Sequence, residues 1–203
     1  MATKLFLIRH GETEWSLSGR HTGRTDIPLT ANGERAAQQL RPLLAPLQFS
    51  RVVVSPLRRA QHTAELAGCL AGAVVDDDLH EWDYGVYEGK TSAEIRAAAP
   101  DWNVFEFGAP GGESREQVTA RADRVLARLQ PFDGAVALFS HGQFLRALAM
   151  RWIQQDVSEG RHFAFDAASI SVLGYEHPEQ GLPTILLWNA SASQSLSALA
   201  TKW

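Results

Sequence analysis

Three apolar runs in this 203-residue chain stop abruptly on side chains suited to holding an oxyanion. Residues 5–11, LFLIRHG, set Arg9 and His10 directly after four apolar residues. Residues 51–60, RVVVSPLRRA, lead through Ser55 and Pro56 to Arg58 and Arg59, and residues 135–143, AVALFSHGQ, carry Ser140 and His141 ahead of Gly142. Two imidazoles and two or more guanidiniums brought together make an oxyanion site, and phosphate is its most economical ligand. Gly11 and Gly142 are expected to let the backbone come close to that ligand. Without one, an Arg-His pair closing a buried strand would leave two polar groups stranded.

For these side chains to meet, the runs must be strands whose carboxyl ends share one edge of a sheet, the place where open α/β sheets collect ligands. β-branched runs alternating with helical periodicity predict an α/β fold with a largely parallel sheet. The strands fall at residues 4–8, 51–54, 73–75, 135–139, 169–174 and 184–188. Between the first two, Thr30 is an N-cap and Ala36, Ala37, Leu40 and Leu44 share a helical face, with Pro42 and Pro46 expected to kink or end the helix early. Ser55 reads as the cap of a second helix with Pro56 at its first position and Gly68 as its stop. Ser114 and Gln117 form a capping box ahead of Val118, Ala122, Val125, Leu126 and Leu129, and a last helix is expected over 143–153. No repeat or linker divides the chain, so residues 1–203 read as one domain, with 190–203 as a surface tail.

Charge narrows the partners. With 19 basic and 23 acidic side chains the formal net charge is -4, which offers no global positive field to nucleic acid or an anionic membrane. Any bound anion must be held by a local cluster. The single cysteine, Cys69, has no intramolecular disulfide partner and reads as a small core residue. No secretion signal is evident and no apolar run approaches the roughly 20 residues of a membrane helix, so a cytoplasmic protein is expected.

In order along the chain, LIRHGET, SPLRRAQHTAELA, LHEWDYGVYEGKT and SHGQ together resemble the histidine phosphatase superfamily, the group that contains the phosphoglycerate mutases and many small phosphatases. The resemblance extends over residues 4–188 and implies a three-layer, phosphoglycerate mutase-like sandwich, its sheet of about six strands covered by helices on both faces. It implies that His10 is the nucleophile and passes through a phosphohistidine, that Arg9, Arg59 and His141 clamp the phosphate, and that Glu81 protonates the leaving oxygen and then activates water. Ser16, Arg20 and Thr22 match substrate-binding positions in the loop that follows, with Gly23 giving a close backbone approach and His21 between them a further candidate contact. It implies no metal and no other cofactor, a small phosphoester as the one partner, and a monomer or homodimer.

Elementary chemistry agrees with these roles. An imidazole attacks phosphorus only when neutral, and neighbouring guanidiniums favour that form. Phosphoryl transfer needs positioning and charge neutralisation above all. Glu81 must start with a proton to act as an acid, which leads us to expect a rate optimum on the acid side of neutral.

Three functions compete: a phosphatase acting on small phosphomonoesters, a phosphoglycerate mutase, and a non-catalytic phosphate-binding module. The dependent mutases carry a longer segment between the acid and the second histidine than the 60 positions separating Glu81 from His141 here. EWDYGVYEGKT looks more like the acid-phosphatase and sugar-bisphosphatase branches than like the short protein-phosphohistidine phosphatases, so a small sugar phosphate or glycolytic phosphoester is the expected substrate. Other features have bland readings beside the functional ones. His21 is also readable as an exposed loop histidine, Arg58 as a solvated helix residue and His80 as solvent-facing. His62, His162 and His177 lack a partner motif, Asp76, Asp77 and Asp78 read as a solvated turn, and Trp102, Phe105 and Phe107 as either a lid or a satellite apolar cluster.

Overall fold

The computed structural model describes residues 3–129, 133–177, 179 and 181–192. Six strands, β1 (Lys4–Arg9), β2 (Phe49–Val54), β3 (Val74–Val75), β4 (Ala135–Ser140), β5 (Ser169–Tyr175) and β6 (Pro183–Ser191), form one sheet in the order β3-β2-β4-β1-β5-β6. β3, β2, β4 and β1 run parallel, β5 pairs antiparallel with β1, and β6 pairs antiparallel with β5 at the edge. The α/β reading with a mostly parallel sheet therefore holds.

Alternation along β1 sends Leu5 and Leu7 into the core on one face and Phe6 and Ile8 into a second core on the other. Helices cover both faces. α1 (Glu14–Leu17) and α2 (Ala31–Leu44) follow β1; α3 (Arg58–Leu66) follows β2; α4 (Ser92–Arg96), α5 (Val104–Phe107) and α6 (Arg115–Leu129) lead to β4; α7 (Gly142–Trp152) leaves it. No helix among the described residues is long and apolar enough to cross a membrane.

Two helix expectations change. Pro42 does not shorten α2, which runs on to Leu44. Pro42 and Gln38, the residue whose carbonyl loses its partner, are both exposed, while Leu40 and Leu44 stay buried and carry the helix past the defect. α3 begins at Arg58 with Leu57 in the cap position, so Pro56 precedes the helix and Ser55 does not cap it. Ala190 and Ser191, expected in a surface tail, belong instead to β6; the rest of that expectation, residues 193–203, lies outside the described residues. The Ser114–Gln117 box is present, each backbone N–H meeting the other's side chain at 2.8 and 3.3 Å.

Candidate active site

The central strands β1 and β4 are in register, Arg9 opposite Ser140, so their carboxyl ends deliver Arg9-His10 and Ser140-His141 side by side. The backbone of His10 is fixed on both sides: its N–H donates to the Ser140 carbonyl at 3.0 Å, and its carbonyl accepts from Ala168 N–H at 3.1 Å. His10 Nδ1 lies 2.7 Å from the Gly11 carbonyl. A carbonyl only accepts, so Nδ1 carries the proton and Nε2 keeps its lone pair. Burial, and after it the Arg59 and Arg9 guanidiniums, hold this imidazole well below the usual histidine range.

A cavity of about 330 Å³ opens over His10, and Arg9, Glu81, Ser16, Arg20, His21, Thr22 and Gly142 line it with Tyr84, Gln143, Arg146 and Asp166. Arg9 donates to the Phe165 carbonyl, while its buried Nε has no hydrogen-bond partner among the described residues. Such a group is costly until something accepts from it. Glu81 is buried, and its carboxylate accepts from Trp82 N–H at 2.8 Å and from Gln143 and Phe144 N–H at 3.1 and 2.8 Å, the latter two at the start of α7.

Arg59 and His141 occupy a different level from the one a direct clamp would need. Both are 0% exposed and neither lines the cavity. Arg59 Nε donates to His141 Nδ1 at 3.1 Å, and the rest of its guanidinium donates to the carbonyls of Thr25, Gly23 and Thr22 at 2.8, 2.9 and 3.3 Å. The proton of His141 therefore sits on Nε2, which donates to Ser55 Oγ at 2.7 Å. The two imidazole centroids are 5.1 Å apart. Burial, then Arg59 and His10, keep His141 well below the ordinary histidine range. Ser55, read from sequence as a helix cap, instead fixes the second histidine.

The glycines make room within the protein, although Gly142 lines the cavity as well. A Cβ on Gly11 would come within 2.6 Å of the Gly33 carbonyl oxygen, and one on Gly142 within 3.1 Å of Arg9 Nε. Gly11 thus lets the first strand end pack on α2, and Gly142 lets the Arg9 side chain pass. Gly23 is likewise spent on packing: its N–H donates to Glu88 Oε1 at 2.8 Å, it lies outside the cavity lining, and a Cβ there would meet Glu88 Oε2 and the Trp82 carbonyl oxygen at 2.7 Å.

In the loop, the Ser16 hydroxyl closes a capping box with Thr13 at the start of α1, although the residue lines the cavity. Arg20 donates to the Gly89 carbonyl at 2.6 Å. His21 is not an exposed loop residue; it stacks on Tyr84 at 4.6 Å, and burial, then Arg96, lower it to about 4, so it stays neutral near pH 7. Arg58 is exposed, Asp76 and Asp78 pair with Arg128 and Arg124, and Trp102 and Phe105 join the core while Phe107 remains 64% exposed. Gln143 and Arg146 were not singled out from sequence, yet both line the cavity and hydrogen-bond each other. Their spacing of three after His141-Gly142 on a helix was the available signal.

A parallel-centred α/β sheet that gathers a histidine held neutral, an arginine whose buried Nε has no partner among the described residues, and a carboxyl group around one cavity suits phosphoryl transfer. Residues 5–191 match the histidine phosphatase superfamily (branch 1), and the chain belongs to that family and is a phosphatase. It is 46% identical over 178 residues to an acid phosphatase of Mycobacterium tuberculosis, covering 86% of this chain and 87% of that one. It is 34% identical over 186 residues to the sedoheptulose 1,7-bisphosphatase of Saccharomyces cerevisiae, covering 75% and 68%. The solved structure of a Mycobacterium tuberculosis open reading frame superposes with a TM-score of 0.87 at 42% identity, covering 94% of this chain and 98% of that one.

Proposed function

We propose that this phosphatase hydrolyses small phosphomonoesters, sugar phosphates among them, through a phosphohistidine on His10, with Glu81 as general acid and then general base. The observation that carries the reading is the state of His10: Nδ1 held by the Gly11 carbonyl, Nε2 left with its lone pair, and the ring kept neutral. The acid phosphatase and sedoheptulose bisphosphatase relatives support the substrate class.

In the first step the Nε2 lone pair forms the N–P bond as the P–O bond to the leaving group breaks, and Glu81 gives its proton to the departing oxygen. In the second, water attacks phosphorus, Glu81 takes the proton of the water, the N–P bond breaks and inorganic phosphate leaves. Arg9, on the cavity wall, neutralises the transferred oxyanion. Arg59 and His141 act from beneath: Arg59 adds positive charge and ties down the Thr22–Thr25 backbone, and His141 backs the nucleophile. The chain's own guanidiniums supply the charge neutralisation this chemistry requires.

Phosphate release from a panel of small phosphoesters, measured for wild type and His10→Ala, tests the proposal. Release lost in the variant, with an acid-labile, base-stable phosphoenzyme trapped only in the wild type, is expected. Isomerisation of 3-phosphoglycerate outrunning release would make the protein a mutase. Phosphate binding without release from any ester would make it a binding module.

A further inference from the structure

Glu81 sits on an irregular stretch, residues 80–84, with no strand or helix to hold it. A general acid has to be placed to a fraction of an ångström, so something else must fix this segment. Arg121, in the middle of α6, is only 2% exposed and lies outside the cavity lining. Its guanidinium donates to the carbonyls of Asp78 and His80 at 2.9 and 2.7 Å, with a longer contact to that of Glu81 at 3.4 Å. The same group binds both carboxylate oxygens of Glu113, at 2.8 and 2.7 Å. It also stacks 4.2 Å from the ring centroid of Phe144, whose N–H donates to Glu81.

Glu113 grips the other side of the segment. Its carboxylate accepts from Asp83 N–H at 3.0 Å, its backbone carbonyl accepts from the Trp82 indole at 3.0 Å, and its N–H donates to the Asp83 carbonyl at 2.9 Å. Backbone groups on both sides of Glu81 are thus tied to one buried, bidentate ion pair, an arrangement that is expensive to build and loses its compensation if either partner is removed.

We propose that Arg121 and Glu113 are a positioning pair whose function is to hold Glu81 in place as the proton donor. The inference rests on the role of Glu81 proposed above. Neither residue touches the cavity, so the pair acts only through the acid. Its effect falls on the step in which the ester oxygen leaves, and grows with the need of that oxygen for a proton.

The experiment compares kcat/KM for p-nitrophenyl phosphate, whose leaving group departs without help, with that for glycerol 3-phosphate, whose alkoxide needs protonation. kcat/KM reports the transfer to His10 and is blind to the later hydrolysis common to both esters. Variants are Glu81→Gln as reference, Arg121→Met, and Glu113→Gln, which retains an acceptor for Asp83 N–H; the inhibition constant of inorganic phosphate is measured for each. The expected result for Arg121→Met and Glu113→Gln is a loss of about 10- to 100-fold on glycerol 3-phosphate, within the range of general acid catalysis, and under about fivefold on the aryl ester. Phosphate inhibition should remain within about twofold of wild type in both, since neither contacts the cavity.

Equal losses on both esters, or none, in folded variants would overturn the positioning role. If Arg121→Met does not fold, Glu113→Gln decides by the same criterion. If Glu81→Gln itself shows no preference between the esters, it is the assignment of Glu81 as acid that fails.

Discussion

Removing one hydroxyl, that of Ser55, separates the role seen in the structure from the helix cap read from sequence. Ser55 and His141 are both 0% exposed, and the 2.7 Å bond between them is where the His141 Nε2 proton goes. The other ring nitrogen, Nδ1, already accepts from Arg59 Nε. In Ser55→Ala the buried N–H is left without a partner, which costs about 1–3 kcal/mol. The Leu57 N–H, 3.3 Å from the same hydroxyl, is only half-buried and turns to water at little cost. For a chain of this size the penalty lowers Tm by roughly 2–12 °C.

The catalytic effect follows from the 5.1 Å contact between the two imidazoles. The alternative tautomer would point an Nδ1 proton at the Arg59 donor, so an unanchored ring must swing away, and we expect kcat/KM to fall about tenfold, or about 1.4 kcal/mol. Scanning calorimetry and steady-state kinetics read the two effects, and Ser55→Cys, a weaker acceptor, should fall between. A Ser55→Ala protein that melts within about 1 °C of wild type and turns over within about twofold of it would refute the relay. A plain cap would also lower Tm but would leave kcat/KM untouched.

Three further outcomes are expected. Because burial, Arg59 and Arg9 hold His10 well below the usual histidine value, protonation of the nucleophile should set the acid limb of the kcat/KM profile well under pH 6.5; a limb at the ordinary value would contradict the arrangement. Global stability should also fall as the pH drops below about 6.5. His10, His21, His80 and His141 are all lowered in the folded chain, so the unfolded chain binds more protons there. His21, at about 4, contributes at most roughly 2 kcal/mol of the loss at pH 5, less what its partial exposure screens. Urea midpoints that do not move between pH 7.5 and 5 would exclude it. Gly11→Ala should lower stability by about 2 kcal/mol or more through the 2.6 Å collision with Gly33, a packing defect. In the folded fraction, the phosphate inhibition constant should stay near wild type, and a loss confined to phosphate binding would mean the glycine faces the ligand after all.

What the sequence discloses and what it hides divides along range. Each strand and its polar terminus is local, so Arg9-His10 and Ser140-His141 can be placed at strand ends by their apolar runs alone, while the pairing of those two strands is visible only in the fold. The partners of those residues are not local: Ser55 meets His141 across 86 positions, Arg121 meets His80 across 41, and Gln143 N–H meets Glu81 across 62. A glycine announces a close approach without naming the neighbour: Gly11 packs on Gly33, and Gly142, on the cavity wall, also passes Arg9. Proline in a helix announces a missing hydrogen bond without saying whether the residue left short of a partner is exposed, as Gln38 opposite Pro42 is.

The same limit changes how the anion is held. Reasoning from strand ends gives the phosphate to the helix N-termini that follow β2 and β4, because their N–H groups are unpaired. Here both are occupied by the chain's own carboxylates: Asp26 accepts from Arg58 N–H at 3.0 Å at the start of α3, and Glu81 accepts from Gln143 and Phe144 N–H at the start of α7. These dipoles are already answered, so a phosphate bound as proposed would take its counter-charge from the cavity-wall guanidiniums, Arg9 foremost, whose Nε has no partner among the described residues. The use of α7 is also what places the acid. The helix start that could have bound the substrate anchors Glu81 beside it, one residue beyond the strand end that carries His141, so acid and second histidine are set by the same turn of chain.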